Sequence, residues 1–104
     1  MERMNTDPTP FAERVLDVVE RIPSGMVMSY GDIAEYLAEG GPRQVGRVMS
    51  LWGGGVPWWR VVHADGTPVP GHERQCITRW HAERTPMRGE RADMRRARWD
   101  GDDG

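Results

Sequence analysis

A chain of 104 residues with 38% hydrophobic and 29% charged side chains makes one domain around one core. It is too short for a cleft between two large lobes and holds no apolar run near the roughly 20 residues of a membrane helix. The single Cys76 and the scattered His63, His72 and His81 lack metal-ligand spacing, so neither an internal disulfide, a metal site nor a cofactor is expected. The formal net charge of −2 argues against a uniformly basic nucleic-acid binder, but the charge is uneven. Residues 41–60 hold Arg43, Arg47 and Arg60 and no acid, and all 14 basic residues are arginine.

Residues 1–9 read as a disordered N-terminus. Met1 to Pro10 is polar and lacks the basic-then-apolar layout of a signal peptide, so a cytoplasmic protein is expected. Pro10 suits the first turn of a helix capped by Thr9. Phe11, Val15, Val18 and Ile22 then recur at spacings of four, three and four, one apolar stripe on that helix. Pro23-Ser24-Gly25 ends it, and Met26-Val27-Met28 reads as a short strand or extended link.

Ser29 with Asp32 three positions on predicts a capping box, and a short helix to about Leu37. Glu39-Gly40-Gly41 is a turn, and Pro42 opens a third helix to about Trp52 with Val45, Val48 and Met49 on one face. Two short helices around a glycine turn predict helix-turn-helix, the second carrying Arg43 and Arg47. Gly53 to Gly55 reads as a flexible break. Val61-Val62 reads as a buried strand, Asp65-Gly66 as a hairpin turn, and Val69 as part of a return strand. A last amphipathic helix is predicted from about Glu73 to Glu83, with Cys76, Ile77 and Trp80 inward. Residues 88–104 form a charged tail in which Met94, Ala97 and Trp99 can dock and the end is expected to be loose. The pattern is mostly α with a small β-wing, a winged helix-turn-helix DNA-binding domain spanning about residues 10–87.

Three motifs fall in a telling order: Ser29-Tyr30-Gly31-Asp32-Ile33-Ala34, Arg43-Gln44-Val45-Gly46 and Pro57-Trp58-Trp59-Arg60-Val61. Together they resemble the DNA-binding domain of O6-alkylguanine-DNA alkyltransferases, over about Phe11 to Glu83. In those repair enzymes the third motif reads Pro-Cys-His-Arg-Val, with the cysteine accepting the alkyl group. Here Trp58 stands at the cysteine position and Trp59 at the histidine position. An indole is no nucleophile comparable to a thiolate and no base. The chain is therefore similar to the alkyltransferase-like proteins, which bind O6-alkylguanine without repairing it, although those usually keep the histidine.

The resemblance implies a set of roles. Tyr30 engages a backbone phosphate and helps rotate the nucleotide out. Arg43 is the finger that fills the vacated stack, a role suited to a planar guanidinium. Gly46 allows close backbone approach to DNA in the minor groove, Arg47 is a candidate phosphate contact, and Ser50 is a weaker one. Val56, Pro57, Trp58 and Trp59 belong to the lesion pocket, where an indole face suits a flipped alkylated base. Arg60 is structural, and Glu83 matches a relay glutamate that has nothing to polarise here. The loop from Pro68 to Glu73 lacks the family's pocket arginine, and Arg74 is the nearest candidate.

The expected partner is duplex DNA containing O6-alkylguanine, bound by a monomer that passes the lesion to nucleotide excision repair proteins, with no membrane involvement. Two other readings stay open. One is a degenerate winged-helix module without lesion specificity. The other is an enzyme with Cys76 as a relocated nucleophile.

Overall fold

The computed structural model describes residues 8–102. Helix α1 (Pro10–Arg21) starts where Thr9 accepts a hydrogen bond from Ala12 N–H at 3.1 Å. Strand β1 (Met28–Ser29) leads into α2 (Tyr30–Leu37). Ser29 Oγ accepts from Asp32 N–H at 2.9 Å and Asp32 accepts from Ser29 N–H at 3.0 Å, so both orphan donors of that helix start are satisfied. A left-handed Ala38 and a glycine turn lead into α3 (Pro42–Trp52). The two helices form the predicted helix-turn-helix pair and pack on α1, burying Val15, Val18, Ile33, Val45 and Val48 in one core cluster.

Residues 53–60 are tighter than a flexible break. Gly53–Gly55 and Trp58–Arg60 each form one 3-10 turn, and Gly53 is buried. The following strand β2 (Val61–Val62) pairs in parallel with β1, Met28 opposite Val61 and Ser29 opposite Val62. This corrects the expected β-wing, in which Val61-Val62 would pair with a return strand at Val69. Val61 and Val62 are both fully buried, and β1 offers them a ladder inside the core. The Asp65-Gly66 turn does form, closed by hydrogen bonds from Gly66 N–H to His63 O and from His63 N–H to Thr67 O. The chain is mostly helical with a small sheet, and helix α4 (Glu73–Glu83) follows.

The C-terminal segment closes the domain. Strands β3 (Met87–Arg88) and β4 (Arg91–Ala92) form an antiparallel hairpin, and a single turn, α5 (Met94–Ala97), follows. Val27 N–H donates to Ala97 O at 2.9 Å, and Trp99 N–H donates to Val27 O at 2.8 Å. Ala97 joins Val27, Val62, Cys76, Trp80 and Ala92 in a second core cluster, whereas Trp99 enters the first. Gly66 sits against this segment at φ +90°, where a Cβ would lie 2.1 Å from Ala92 O, so a side chain there is excluded by both space and backbone conformation. The docking of Ala97 and Trp99 is thus part of the core, with Met94 packed against the second cluster. Most of the stretch 1–9 and the last two residues lie outside the described residues.

If residues 88–102 belong to the cooperative unit, Trp99→Ala should cost about 3–5 kcal/mol, as expected for a large aromatic removed from a packed core. The urea midpoint measures it, and a loss under about 1 kcal/mol would show that the tail is an appendage.

Candidate nucleic-acid interface

Trp58 and Trp59 are adjacent in sequence and lie on one 3-10 turn, yet their rings do different things. Their planes meet at 83° with centroids 5.8 Å apart. Trp59 turns towards the far end of α4, where its Nε1–H donates to Glu83 Oε2 at 3.0 Å. The Arg79 guanidinium lies over its ring, 4.2 Å from the centroid, and Arg60 approaches at 5.5 Å. Its backbone oxygen accepts from Trp80 Nε1 at 2.8 Å.

Glu83 gathers this corner. It accepts from Arg60 Nε at 3.0 Å and Arg60 Nη2 at 2.6 Å, and also from Trp59 and Gly25 N–H. Arg60 Nη1 reaches on to Ile22 O at 2.9 Å. Burial pushes the Glu83 carboxyl up, but hydrogen bonds from Arg60, Trp59 and Gly25, with the Arg60 charge, outweigh it and hold the group below its ordinary value. Arg60 and Glu83 thus lie together in this corner, and neither lines the cavity that Trp58 faces.

Trp58 turns the other way, into a cavity of about 580 Å³, a size ordinary for a small-molecule site. Tyr30 supplies one wall from the start of α2. Gly46, Met49 and Ser50 supply another from α3, and Gly53 and Gly54 complete it. The last wall is Val69, Pro70, His72 and Gln75, at and before the start of α4. Of the residues expected in the pocket, Trp58 is there, but Val56, Pro57, Trp59 and Arg74 are not among its lining. Trp59 is engaged by Glu83 and Arg79, Val56 packs against the first core cluster, Pro57 enters the turn that aims Trp58, and Arg74 is exposed on α4.

The wall made by Val69, Pro70, His72 and Gln75 carries no arginine, and the sequence reading did not name it. Val69-Pro70-Gly71-His72 has proline then glycine at its centre, Gly71 has φ +86°, and His72 N–H donates to Val69 O at 3.0 Å. This is a type II turn, and its Pro-Gly pair was the available signal. Glu73 accepts from Gly71 N–H at 3.1 Å, pinning the turn; hydrogen bonds from its own and the Gly71 N–H hold its carboxyl below the usual range. The turn sets the His72 ring edge-on to Trp58, centroids 5.6 Å apart.

Tyr30 is half-buried, its ring 5.3 Å from that of His63. Burial, then the nearby Cys76, raises its hydroxyl pKa, so it stays a neutral donor. Gly46 faces the same ring, and a Cβ there would sit 3.9 Å away, in ordinary contact. Arg43, Arg47 and Ser50 are exposed at spacings of four and three, one stripe along α3 beside the cavity mouth. Cys76 is fully buried, and burial, together with the Glu73 charge, pushes its thiol up against a smaller lowering by the Val69 backbone. That is the opposite of an activated thiolate.

The family model for the DNA-binding domain of 6-O-methylguanine DNA methyltransferase matches residues 10–85. The chain belongs to that family. A DNA base-flipping protein of Escherichia coli is 36% identical over 109 residues, covering 94% of this chain and 80% of the relative. Alkyltransferase-like protein 1 of Schizosaccharomyces pombe is 44% identical over 62 residues, covering 55% of this chain and 56% of that protein. Among solved structures, S. pombe Atl1 in complex with damaged DNA containing O6-carboxymethylguanine superposes with a TM-score of 0.73 at 29% identity, covering 86% of this chain and 94% of that one. Among the described residues no helix is long and apolar enough to cross a membrane.

The Glu83 cluster makes a pH prediction. A carboxyl held below its ordinary 4.5 in the folded state stabilises the fold above that pH and ceases to as pH falls through the folded value. The stability difference between wild type and Glu83→Gln should be constant near neutrality and shrink below about pH 4.5. Urea melts between pH 7 and pH 3 measure it, and a difference unchanged at pH 3 would remove the carboxylate as its source.

Proposed function

We propose that this protein is a non-enzymatic recognition protein for O6-alkylguanine in duplex DNA, which holds the flipped lesion in the cavity faced by Trp58. The observation that carries the reading is the orientation of Trp58. At the position where the family's enzymes resemble this chain but carry a nucleophilic cysteine, an indole faces a cavity beside the arginine stripe of α3. Stacking on an aromatic face is worth about 1–3 kcal/mol per base and suits an alkylated purine. The names of the relatives support the reading: one is a base-flipping protein, and the other has been solved on DNA with an O6-alkylated guanine.

Unstacking a nucleotide costs a few kcal/mol. In this reading Arg43, exposed in the first turn of α3, enters the vacated stack, and Tyr30 turns the phosphate. Arg47 and Ser50 contact the backbone across the minor groove, and Gly46 keeps the face low for close approach. Helices α2 and α3 form the helix-turn-helix that carries these residues. The chain acts as a cytoplasmic monomer and passes the lesion to nucleotide excision repair.

Alkyl transfer has no candidate acceptor in this reading. Trp58 offers no thiolate, and the Cys76 thiol is fully buried, which keeps it protonated. Arg43 therefore serves binding alone.

Matched duplexes containing O6-methylguanine or guanine, titrated at several salt concentrations, test the reading. Wild type should prefer the lesion, with the protein mass unchanged after incubation. Trp58→Ala should lose about 5- to 100-fold in lesion affinity and much less on guanine DNA. Arg43→Ala should likewise weaken lesion binding selectively. Equal wild-type affinity for the two duplexes would instead establish a DNA-binding module without lesion specificity, and a one-alkyl mass gain would establish an enzyme.

A further inference from the structure

The cavity is lined by few polar side chains: Tyr30, Ser50, His72 and Gln75. Two of these are coupled. His72 Nδ1 lies 2.8 Å from Gln75 Oε1, and a carbonyl oxygen only accepts, so Nδ1 carries the hydrogen. The neutral imidazole then offers Nε2 as an acceptor. The ring is held from three sides: its backbone N–H closes the type II turn, Gln75 fixes Nδ1, and Trp58 meets it edge-on at 63°. His72 is the residue preceding α4, yet its side chain makes no capping hydrogen bond, so it is not committed to helix structure.

We propose that His72 is a specificity-determining residue of this cavity, accepting a hydrogen bond from the 2-amino group of the extrahelical purine. The inference rests on the proposed function and names what the polar wall reads. Alkylation at O6 removes the N1 hydrogen of guanine and makes N1 an acceptor. The 2-amino group is then the donor that the Watson–Crick edge keeps. An acceptor placed beside the stacking indole selects for it. A purine without the amino group has no hydrogen to give to Nε2, so removing the acceptor weakens binding of the purine that carries the amino group and leaves the other unchanged.

The test is a cycle over two proteins and two duplexes that differ only in the 2-amino group, O6-methylguanine and O6-methylhypoxanthine, each opposite cytosine. The ratio of affinities for the two duplexes contains the difference in flipping cost, and that difference is common to every variant. Wild type should exceed His72→Phe in this ratio by about three- to tenfold, since phenylalanine keeps a ring against Trp58 and removes the acceptor. Gln75→Leu should move the ratio in the same direction by freeing the imidazole, and thermal melts confirm that both variants fold. Equal ratios in wild type and His72→Phe overturn the proposal. The guanine duplex, run alongside, separates the two readings. Wild-type lesion preference with equal ratios sinks only the role of His72, whereas no lesion preference sinks the proposed function.

Discussion

The Glu83 carboxylate is the constraint on which the rest of the site depends. It sits at the end of α4 and takes hydrogen bonds from Arg60, from Trp59 and from the backbone after α1. Arg60 carries the link on to Ile22 O at the end of α1. Three separate stretches are thereby tied at one point that is mostly out of water, with side-chain exposures of 16% and 13% for the pair. A surface ion pair contributes little, but a shielded, bidentate one leaves an uncompensated charge if either partner goes. The tie fixes the 3-10 turn Trp58–Arg60, and the turn decides where each indole points.

That division of labour explains two consecutive tryptophans. With Trp59 drawn to Glu83 and covered by Arg79, Trp58 is left to the opposite side of the turn and meets the cavity. An indole suits both places for different reasons. At 59 it supplies an N–H for a carboxylate and a face for a guanidinium. At 58 it supplies apolar area beside a polar rim. The Glu83 carboxylate is taken up by Arg60, Trp59 and the Gly25 N–H, so its hydrogen bonds serve the position of the turn.

Much of the frame was legible in the sequence because its signals are local. Thr9-Pro10, Ser29 with Asp32, and Pro42 after two glycines each mark a helix start through hydrogen bonds within one turn, and the helices begin there. The apolar spacing of α1 and α4 named their buried faces. What was not legible depends on partners far apart in the chain. Val61-Val62 has the composition of a strand, but nothing local says whether Val69 or Met28 pairs with it; burial on both sides favours β1. Trp59 and Trp58 are indistinguishable in sequence, and Glu83, 24 residues away, separates them. Docking of Met94, Ala97 and Trp99 was legible as apolar residues in a charged tail, but not that Ala97 and Trp99 enter different core clusters, which their distant partners decide. Pro70-Gly71 signals a fixed turn locally, but that the turn brings His72 to the cavity depends on Trp58, 14 residues earlier in the chain.

The charge of the molecule fits this arrangement better than its sum suggests. A net charge of −2 gives no long-range attraction to DNA. Short-range contacts must then carry affinity, and the exposed stripe of α3 has Arg43 and Arg47 with no acid on that helix. In the proposed reading Arg47 faces phosphate and Arg43 enters the stack, so few counterions are released and undamaged DNA would be held weakly and with a shallow salt dependence. Discrimination follows from the same economy: where the backbone term is small, stacking on Trp58 and hydrogen bonds inside the cavity make up a larger share of the total. A more basic surface would raise affinity for every duplex alike and dilute the difference that the cavity makes.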